Sequence, residues 1–278
     1  MTKLFKLFRN SKYFSTKFKN YFPIYEILFN KYVNKNLVFV EIGVLDGGSL
    51  FMWKKYFGNK ARIIGIDLNP NAKKIAKNNK IEIFIGNQAD PDFWKSFFKK
   101  VGKIDVLLDD GGHTNKQQIL TSTNVKHIRD GGMIVVEDTH TSYQEAFGNP
   151  SKFSFINFAK KTIDDINFRF PSLGSFNYSL NKYIHSVQFF ESIVCINVNK
   201  ALCKKNLQIK NNGIKIGNTD FRYKNKKRNK KFIDFIFSYK ILRKIYIILK
   251  DNFKIGRSGI KNYFNWINRN KIIKNMPY

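Results

Sequence analysis

Two acidic segments of this chain have the makings of a cation site. The first is Asp109-Asp110-Gly111-Gly112-His113, directly after the apolar run Ile104–Leu108. The second is Glu137-Asp138-Thr139-His140, directly after Met133–Val136. Each apolar run reads as a short buried strand. Two parallel strands that end in acids put three or four carboxylates and a histidine at one sheet edge. In an open α/β sheet, that edge binds ligands. Clustered carboxylates repel one another unless a cation neutralises them. Oxygen ligands from two strands suit Mg²⁺, which keeps open positions for water or substrate. Asp110, Glu137 and Asp138 are the candidate ligands, and Asp109 is placed towards a cofactor. The competing reading makes each acid a cap or turn residue. Two doublets at equivalent strand ends weaken it.

His113 follows Asp110 across two glycines, which let the turn bring the imidazole back over the acids. An imidazole is a competent base near neutral pH, so His113 is the candidate catalytic residue. His140 and Tyr143 follow the second cluster and are candidates for lining an acceptor site. An exposed loop is the alternative for both. His127, late in a helical segment, reads as structural, and His185 receives no role.

A second group of residues points to a nucleotide-like cofactor. The run Leu37–Ile42 leads into Gly43-Val44-Leu45-Asp46-Gly47-Gly48-Ser49. Glycines between a first strand and its helix let a ligand approach the backbone. A turn needed only for packing is the alternative, and the spacing is not that of a dinucleotide fingerprint. Asp67 ends the next strand, where an acid can accept from both hydroxyls of an adenosine ribose. Helix capping is its alternative role. Gln88 and Asp90 end the third strand, beside an adenine or as a cap. These features fit a nicotinamide or an S-adenosylmethionine site equally.

The elements that position these groups alternate. Strands are expected at Leu37–Ile42, Arg62–Asp67, Ile81–Ile85, Ile104–Asp109 and Met133–Glu137. Helices are expected at Gly47–Phe57, Pro70–Asn78, Asp92–Lys100, Asn115–His127 and Ser154–Phe168. A late strand pair follows, Tyr183–Phe190 and Ser192–Val198. Strands apolar throughout, separated by helices, argue an α/β fold with a mostly parallel sheet covered on both faces. Residues 1–36 carry aromatics at helical spacing and read as basic amphipathic helices. Residues 37–200 form the central domain, and 201–278 a basic extension with an amphipathic helix at Phe232–Lys250.

The charge is uneven. The chain of 278 residues has a net charge of +30, with +15 in residues 222–278 and +7 in residues 1–36. The segment between is close to an ordinary domain. Of 50 basic residues only 9 are arginine, whereas phosphate readers favour the arginine fork. Nucleic-acid binding is therefore disfavoured. The basic tail, interleaved with aromatics, is a candidate for peripheral contact with an anionic membrane. No run of 18 apolar residues occurs, so no ordinary transmembrane helix is expected. Cys195 and Cys203 make no disulfide framework, and a cytoplasmic location is expected. A homo-oligomer is compatible with the sequence, which does not specify one.

The chain resembles the class I S-adenosylmethionine-dependent methyltransferases, and within them the metal-dependent macrolide-sugar O-methyltransferases and the cephalosporin-hydroxylase-like group. The matching pieces are Glu41-Ile42-Gly43-Val44 with Gly47-Gly48-Ser49, Gly65-Ile66-Asp67, Gly86-Asn87-Gln88-Ala89-Asp90, Asp109 to His113, Gly131-Gly132 with Glu137-Asp138, and His185-Ser186-Val187 through Val194. The resemblance implies a Rossmann-like, seven-stranded sheet with the seventh strand antiparallel. It implies a cofactor site over Glu41, Gly43, Asp67 and Gln88, to which Gly47, Ser49, Asp90 and Asp109 are added. It also implies Mg²⁺ on Asp110, Glu137 and Asp138, with His113 as general base. Gly112 departs from the serine common in relatives. The expected activity is S-adenosylmethionine- and Mg²⁺-dependent O-methylation of a sugar, glycan or glycosylated natural product. Two rivals are an NAD-dependent oxidoreductase, which leaves both acid doublets unexplained, and a basic binding module on a degenerate scaffold.

Overall fold

A computed structural model describes residues 2–76, 80–148, 153–167, 182–204 and 207–214, with a few isolated positions besides. The chain divides into Met1–Ile209 and Lys210–Tyr278. The helix expected at Phe232–Lys250 lies outside the described residues. Among those described, no helix is long and apolar enough to cross a membrane.

Seven strands form one sheet in the order β3-β2-β1-β4-β5-β7-β6. They are β1 (Leu37–Ile42), β2 (Ala61–Asp67), β3 (Ile81–Ile85), β4 (Ile104–Asp109), β5 (Ile128–Val136), β6 (Ile184–Phe190) and β7 (Ile193–Val198). The first five pair in parallel, as their continuous apolar character requires, and β7 runs antiparallel to both β5 and β6. The expected mostly parallel sheet with an antiparallel seventh strand is therefore present. The chain order reverses between β1 and β4, so the loops after these strands diverge and open a crevice.

Helices cover both faces. They are α1 (Lys3–Arg9), α2 (Tyr21–Phe29), α3 (Gly48–Phe57), α4 (Lys73–Ala76), α5 (Pro91–Val101), α6 (Asn115–Ser122) and α7 (Phe155–Asn167). Two expected helices are in part 3-10 turns. The segment expected over 70–78 is a 3-10 turn at Pro70–Ala72 followed by α4. The segment over 115–127 divides into α6 and a 3-10 turn at Thr123–His127. Pro70 sets the first turn with Asn69 as its cap, and Thr114 with Gln117 forms a capping box at α6.

Successive side chains of a strand point to opposite faces, and this parity sorts the core. Leu37 and Phe39, with Val106, Leu108, Met133 and Val135, face a layer built by α1, α2 and α3. Val40, Ile42, Leu107, Ile134 and Val136 face the other layer, with Trp94, Phe97 and Phe98 of α5 and Phe155 of α7. The N-terminal helices thus cover one face of the sheet within the first unit. Tyr25, Phe29, Phe39, Trp53 and Phe57 form a continuous aromatic cluster there, with ring centroids 5.0–6.1 Å apart. Each such pair adds about 0.5–1.5 kcal/mol beyond its buried area.

Candidate functional site

The same parity decides where the acids go. Glu41 continues the series of Leu37 and Phe39, and Glu137 the series of Met133 and Val135, so both enter the aromatic layer. Both are completely buried. Asp109 follows the series of Leu107 and enters the opposite side.

Within the aromatic layer the acids meet one cation. The Lys17 ammonium donates to Asp110 Oδ2 at 2.5 Å and to Glu137 Oε2 at 2.9 Å, and it lies 3.5 Å from Glu41 Oε1. The Lys17 side chain is 1% exposed. Burial alone would lower its pKa, but the charges of Asp110, Glu137 and Glu41 outweigh burial and hold it well above the ordinary lysine value. Burial pushes Glu137 and Glu41 up, and Lys17 opposes the rise in both. The remaining capacity of these acids is met by neutral donors. Tyr25 donates to Glu137 Oε1 at 2.6 Å. Ser49 donates to Glu41 Oε2 at 2.7 Å and Trp53 to Oε1 at 3.2 Å. Burial raises the Tyr25 pKa well above normal, and Glu137 adds to the rise, so its hydroxyl stays a donor.

Asp110, His113 and Asp138 form the outer part of the cluster. Each offers one ligand atom, and these atoms lie within 4.8 Å of one another. His113 Nε2 is 3.4 Å from Asp138 Oδ2. Tyr21 donates to Asp138 Oδ1 at 2.5 Å. His113 and Asp138 both adopt left-handed backbone, with φ of 59° and 53°. Such conformations are uncommon outside glycine and concentrate at functional sites. The buried His113 Nδ1 has no hydrogen-bond partner among the described residues. Two carboxylates at a cleft wall, with an imidazole beside them, fit a divalent cation that also takes substrate oxygens. Glu137 borders the same cleft, with its carboxylate held by Lys17 and Tyr25.

On the other side of the crevice, Asp67 Oδ2 accepts from the backbone amides of Val44 at 2.8 Å and Leu45 at 3.2 Å. Its Oδ1 accepts from Asn69 at 2.8 Å. A carboxylate has about four acceptor positions, so capacity remains for a ribose hydroxyl. Gln88 donates to both oxygens of Asp109, at 2.9 and 3.0 Å, and accepts from the Gly112 amide at 3.0 Å. It therefore ties β3 to the loop carrying Asp110 and His113. Burial raises the Asp109 pKa, and the bonds from Gln88, Thr121 and Gly111 oppose this.

A cleft of about 590 Å³ joins the two sides, within the usual range for a small-molecule site. Its walls include Gly43, Ser49, Asp67, Gln88, Asp110, His113, Glu137 and Asp138. The structure thus brings most of the expected residues together. Four expected cofactor residues do not border the cleft. Glu41 is turned into the aromatic layer, and Asp109 is buried against Gln88. Asp90 caps α5 by accepting from the Asp92 amide, and Gly47 packs against Ile75. Gly43, with φ of 86°, touches the backbone of Asp110 where a Cβ would overlap it, so its absence of side chain is required by packing of the two loops. Of the acceptor candidates, Tyr143 is 61% exposed and away from the cleft wall. His140 Nδ1 meets Ser192 Oγ at 2.5 Å, and its ring packs edge-on to Phe18.

Lys17, Tyr21 and Tyr25 went unassigned from the sequence, as did Ser15, Thr16 and Phe18, which close one side of the cleft. A usable signal was the parity of Glu41 and Glu137, which demands a buried cation and donors from whatever covers that face.

A family model described as a methyltransferase domain matches residues 40–139. Demethylmacrocin O-methyltransferase of Streptomyces fradiae is 34% identical over 138 residues, which cover 46% of this chain and 34% of that enzyme. Mycinamicin VI 2''-O-methyltransferase of Micromonospora griseorubida is 34% identical over 151 residues, covering 50% of this chain and 37% of that enzyme. The chain thus spans little more than a third of these curated relatives. Among solved structures, the MycE methyltransferase of the mycinamycin pathway, in complex with Mg, SAH and mycinamycin VI, superposes with a TM-score of 0.63 at 25% identity, covering 71% of this chain and 53% of that one. The crevice, the strand order and these likenesses agree: residues 40–139 match a methyltransferase domain, and the chain is similar in sequence and fold to these O-methyltransferases.

Proposed function

We propose that this protein methylates a hydroxyl of a sugar, glycan or glycosylated natural product, using S-adenosylmethionine and Mg²⁺. The observation that carries this reading is the single cleft running from Asp67 and Gly43 to Asp110, His113 and Asp138. S-adenosylmethionine supplies a methyl group already activated on a sulfonium, and a bound divalent cation stabilises negative charge on the attacking oxygen. The chain's own task is to position and deprotonate. Asp67 holds the adenosine ribose, and Gln88 orders the loop that presents the acids. Asp110 and Asp138 are the accessible carboxylates for the cation, with Glu137 behind them. His113 accepts the hydroxyl proton at Nε2, and the imidazolium so formed is stabilised by Asp138 Oδ2. The relatives named above are O-methyltransferases of demethylmacrocin and mycinamicin VI, which supports a hydroxyl acceptor on a natural product.

Calorimetric titration of the full chain with S-adenosylhomocysteine and with NAD tests the cofactor. Saturable binding of S-adenosylhomocysteine and none of NAD is expected, and the reverse result overturns the reading. Methyl transfer to demethylated glycosides should stop with a chelator and return with Mg²⁺. Turnover indifferent to chelation overturns the metal part alone.

A further inference from the structure

Three buried or half-buried carboxylates from three chain segments converge on one ammonium. Lys17 is not on the sheet at all. It lies in a segment that crosses the N-terminus of α3. The Gly48 amide donates to the Phe14 carbonyl, Ser11 donates to the Gly48 carbonyl at 2.8 Å, and the Tyr13 ring packs on Phe51 at 4.7 Å. A Cβ at Gly48 would overlap the carbonyls of Tyr13 and Phe14, so this glycine lets the segment lie flat on the helix. Residues 11–18 thus form a strap that delivers Lys17 into the acids.

The position that Lys17 takes is a position for a cation of the site. Its nitrogen touches oxygens of Asp110 and Glu137, two of the three acids expected to hold Mg²⁺, and faces the third acid of the inner group, Glu41. One ammonium against three carboxylates leaves the group short of positive charge. A divalent ion at the same oxygens matches it better, and Mg²⁺ and an ammonium cannot share one oxygen position at 2.5 Å. We propose that Lys17 is a built-in competitor of the divalent cation: it holds Asp110 and Glu137 when the metal is absent and leaves them, with the strap, when the metal binds. This inference rests on the metal-dependent reading above. It makes the strap a device that couples metal binding to opening of the cleft, because Ser15, Thr16, Lys17 and Phe18 are all part of the cleft wall.

The test uses Mn²⁺, followed by its electron paramagnetic resonance signal, with the full chain. Losing a charge-assisted competitor should tighten Mn²⁺ binding about tenfold or more in Lys17→Met and in Lys17→Gln. An affinity unchanged or weakened in both folded variants overturns the proposal. The wild-type chain gives a second readout that needs no substitution. Hydrogen exchange at the amides of residues 13–18 should accelerate when Mn²⁺ saturates the protein. Saturation without any change at the strap also overturns it. S-adenosylhomocysteine binding, measured on the same samples, separates the two levels of failure. Retained binding with no competition defeats the role of Lys17 only, whereas loss of both ligands defeats the methyl-transfer reading too.

Discussion

The two halves of the cleft are built from the same kind of strand end, yet they are stabilised in opposite ways. On the β1–β2 side, the Asp67 carboxylate is satisfied by backbone amides of Val44, Leu45 and Asn69, all within 23 residues. On the β4–β5 side, the acids are satisfied by Lys17, Tyr21 and Tyr25, which reach Asp110, Glu137 and Asp138 across 93 to 120 residues. A local arrangement fixes a loop in one state. A remote one is as stable as the packing of the segment that supplies it. The first suits a cofactor pocket that should be ready-made, and the second a site where charge is exchanged during binding.

The sharpest way to break this comparison is at the reacting group. His113→Ala should lower turnover about 10²–10⁴-fold, the usual effect of losing a general base, while S-adenosylhomocysteine binds as before. A variant that keeps near-normal turnover of a confirmed substrate removes His113 from the chemistry. One that loses cofactor binding as well shows that the two halves are not independent.

The next effect is on stability. Lys17→Met leaves Glu41 and Glu137 buried without their cation, and breaking a buried ion pair costs about 3–5 kcal/mol. Urea unfolding in the presence of a chelator measures it. The pH dependence has a definite sign. Burial raises the native pKa of Glu41 and Glu137 above the unfolded value. Their contribution to stability is therefore full below the ordinary carboxylate pKa of about 4.5 and is lost as pH rises through the native pKa. Without Lys17 to oppose the rise, that loss should be larger and extend to higher pH. The deficit of Lys17→Met relative to wild type should shrink as the pH is lowered towards about 4.5. A deficit that does not vary over this range means the two acids do not carry the effect.

The difference between the halves also explains what the sequence made legible. The parallel strands were readable because each carries a short apolar run, although β5 begins at Ile128, ahead of the expected Met133, with the polar stretch 129–132. The antiparallel pair was readable because Phe190 and Ile193 flank so short a junction. Asp67, Asp110, His113 and Asp138 meet around one cleft because chain order puts them at or just past strand ends on the same sheet edge. Asp109, expected towards the cofactor, is buried against Gln88 and does not border the cleft. One step along β4 separates it from Leu108, and that step turns it to Gln88 and Thr121 instead. Lys17 is one of 50 basic residues, and nothing adjacent to it marks it. Its role is created by α2 and the strap covering the face into which Glu41 and Glu137 point.

The smallest effect belongs to the local half. Asp67→Asn keeps one carbonyl acceptor for the loop amides and removes the charge that a ribose hydroxyl meets. A hydrogen bond to a charged group contributes about 1.5–3 kcal/mol, compared with about 0.5–1.5 for a neutral one. Weakening of S-adenosylhomocysteine binding by roughly tenfold is expected on this difference. Mn²⁺ affinity should stay at the wild-type value, because the strap and the acids are on the other side of the cleft. Titration of both ligands into the variant decides the matter. A fall in both affinities couples the halves through Gln88, whose amide links β3 to the Gly112 turn. Loss of cofactor binding alone leaves the local half a fixed pocket and assigns the exchange of charge to the remote half.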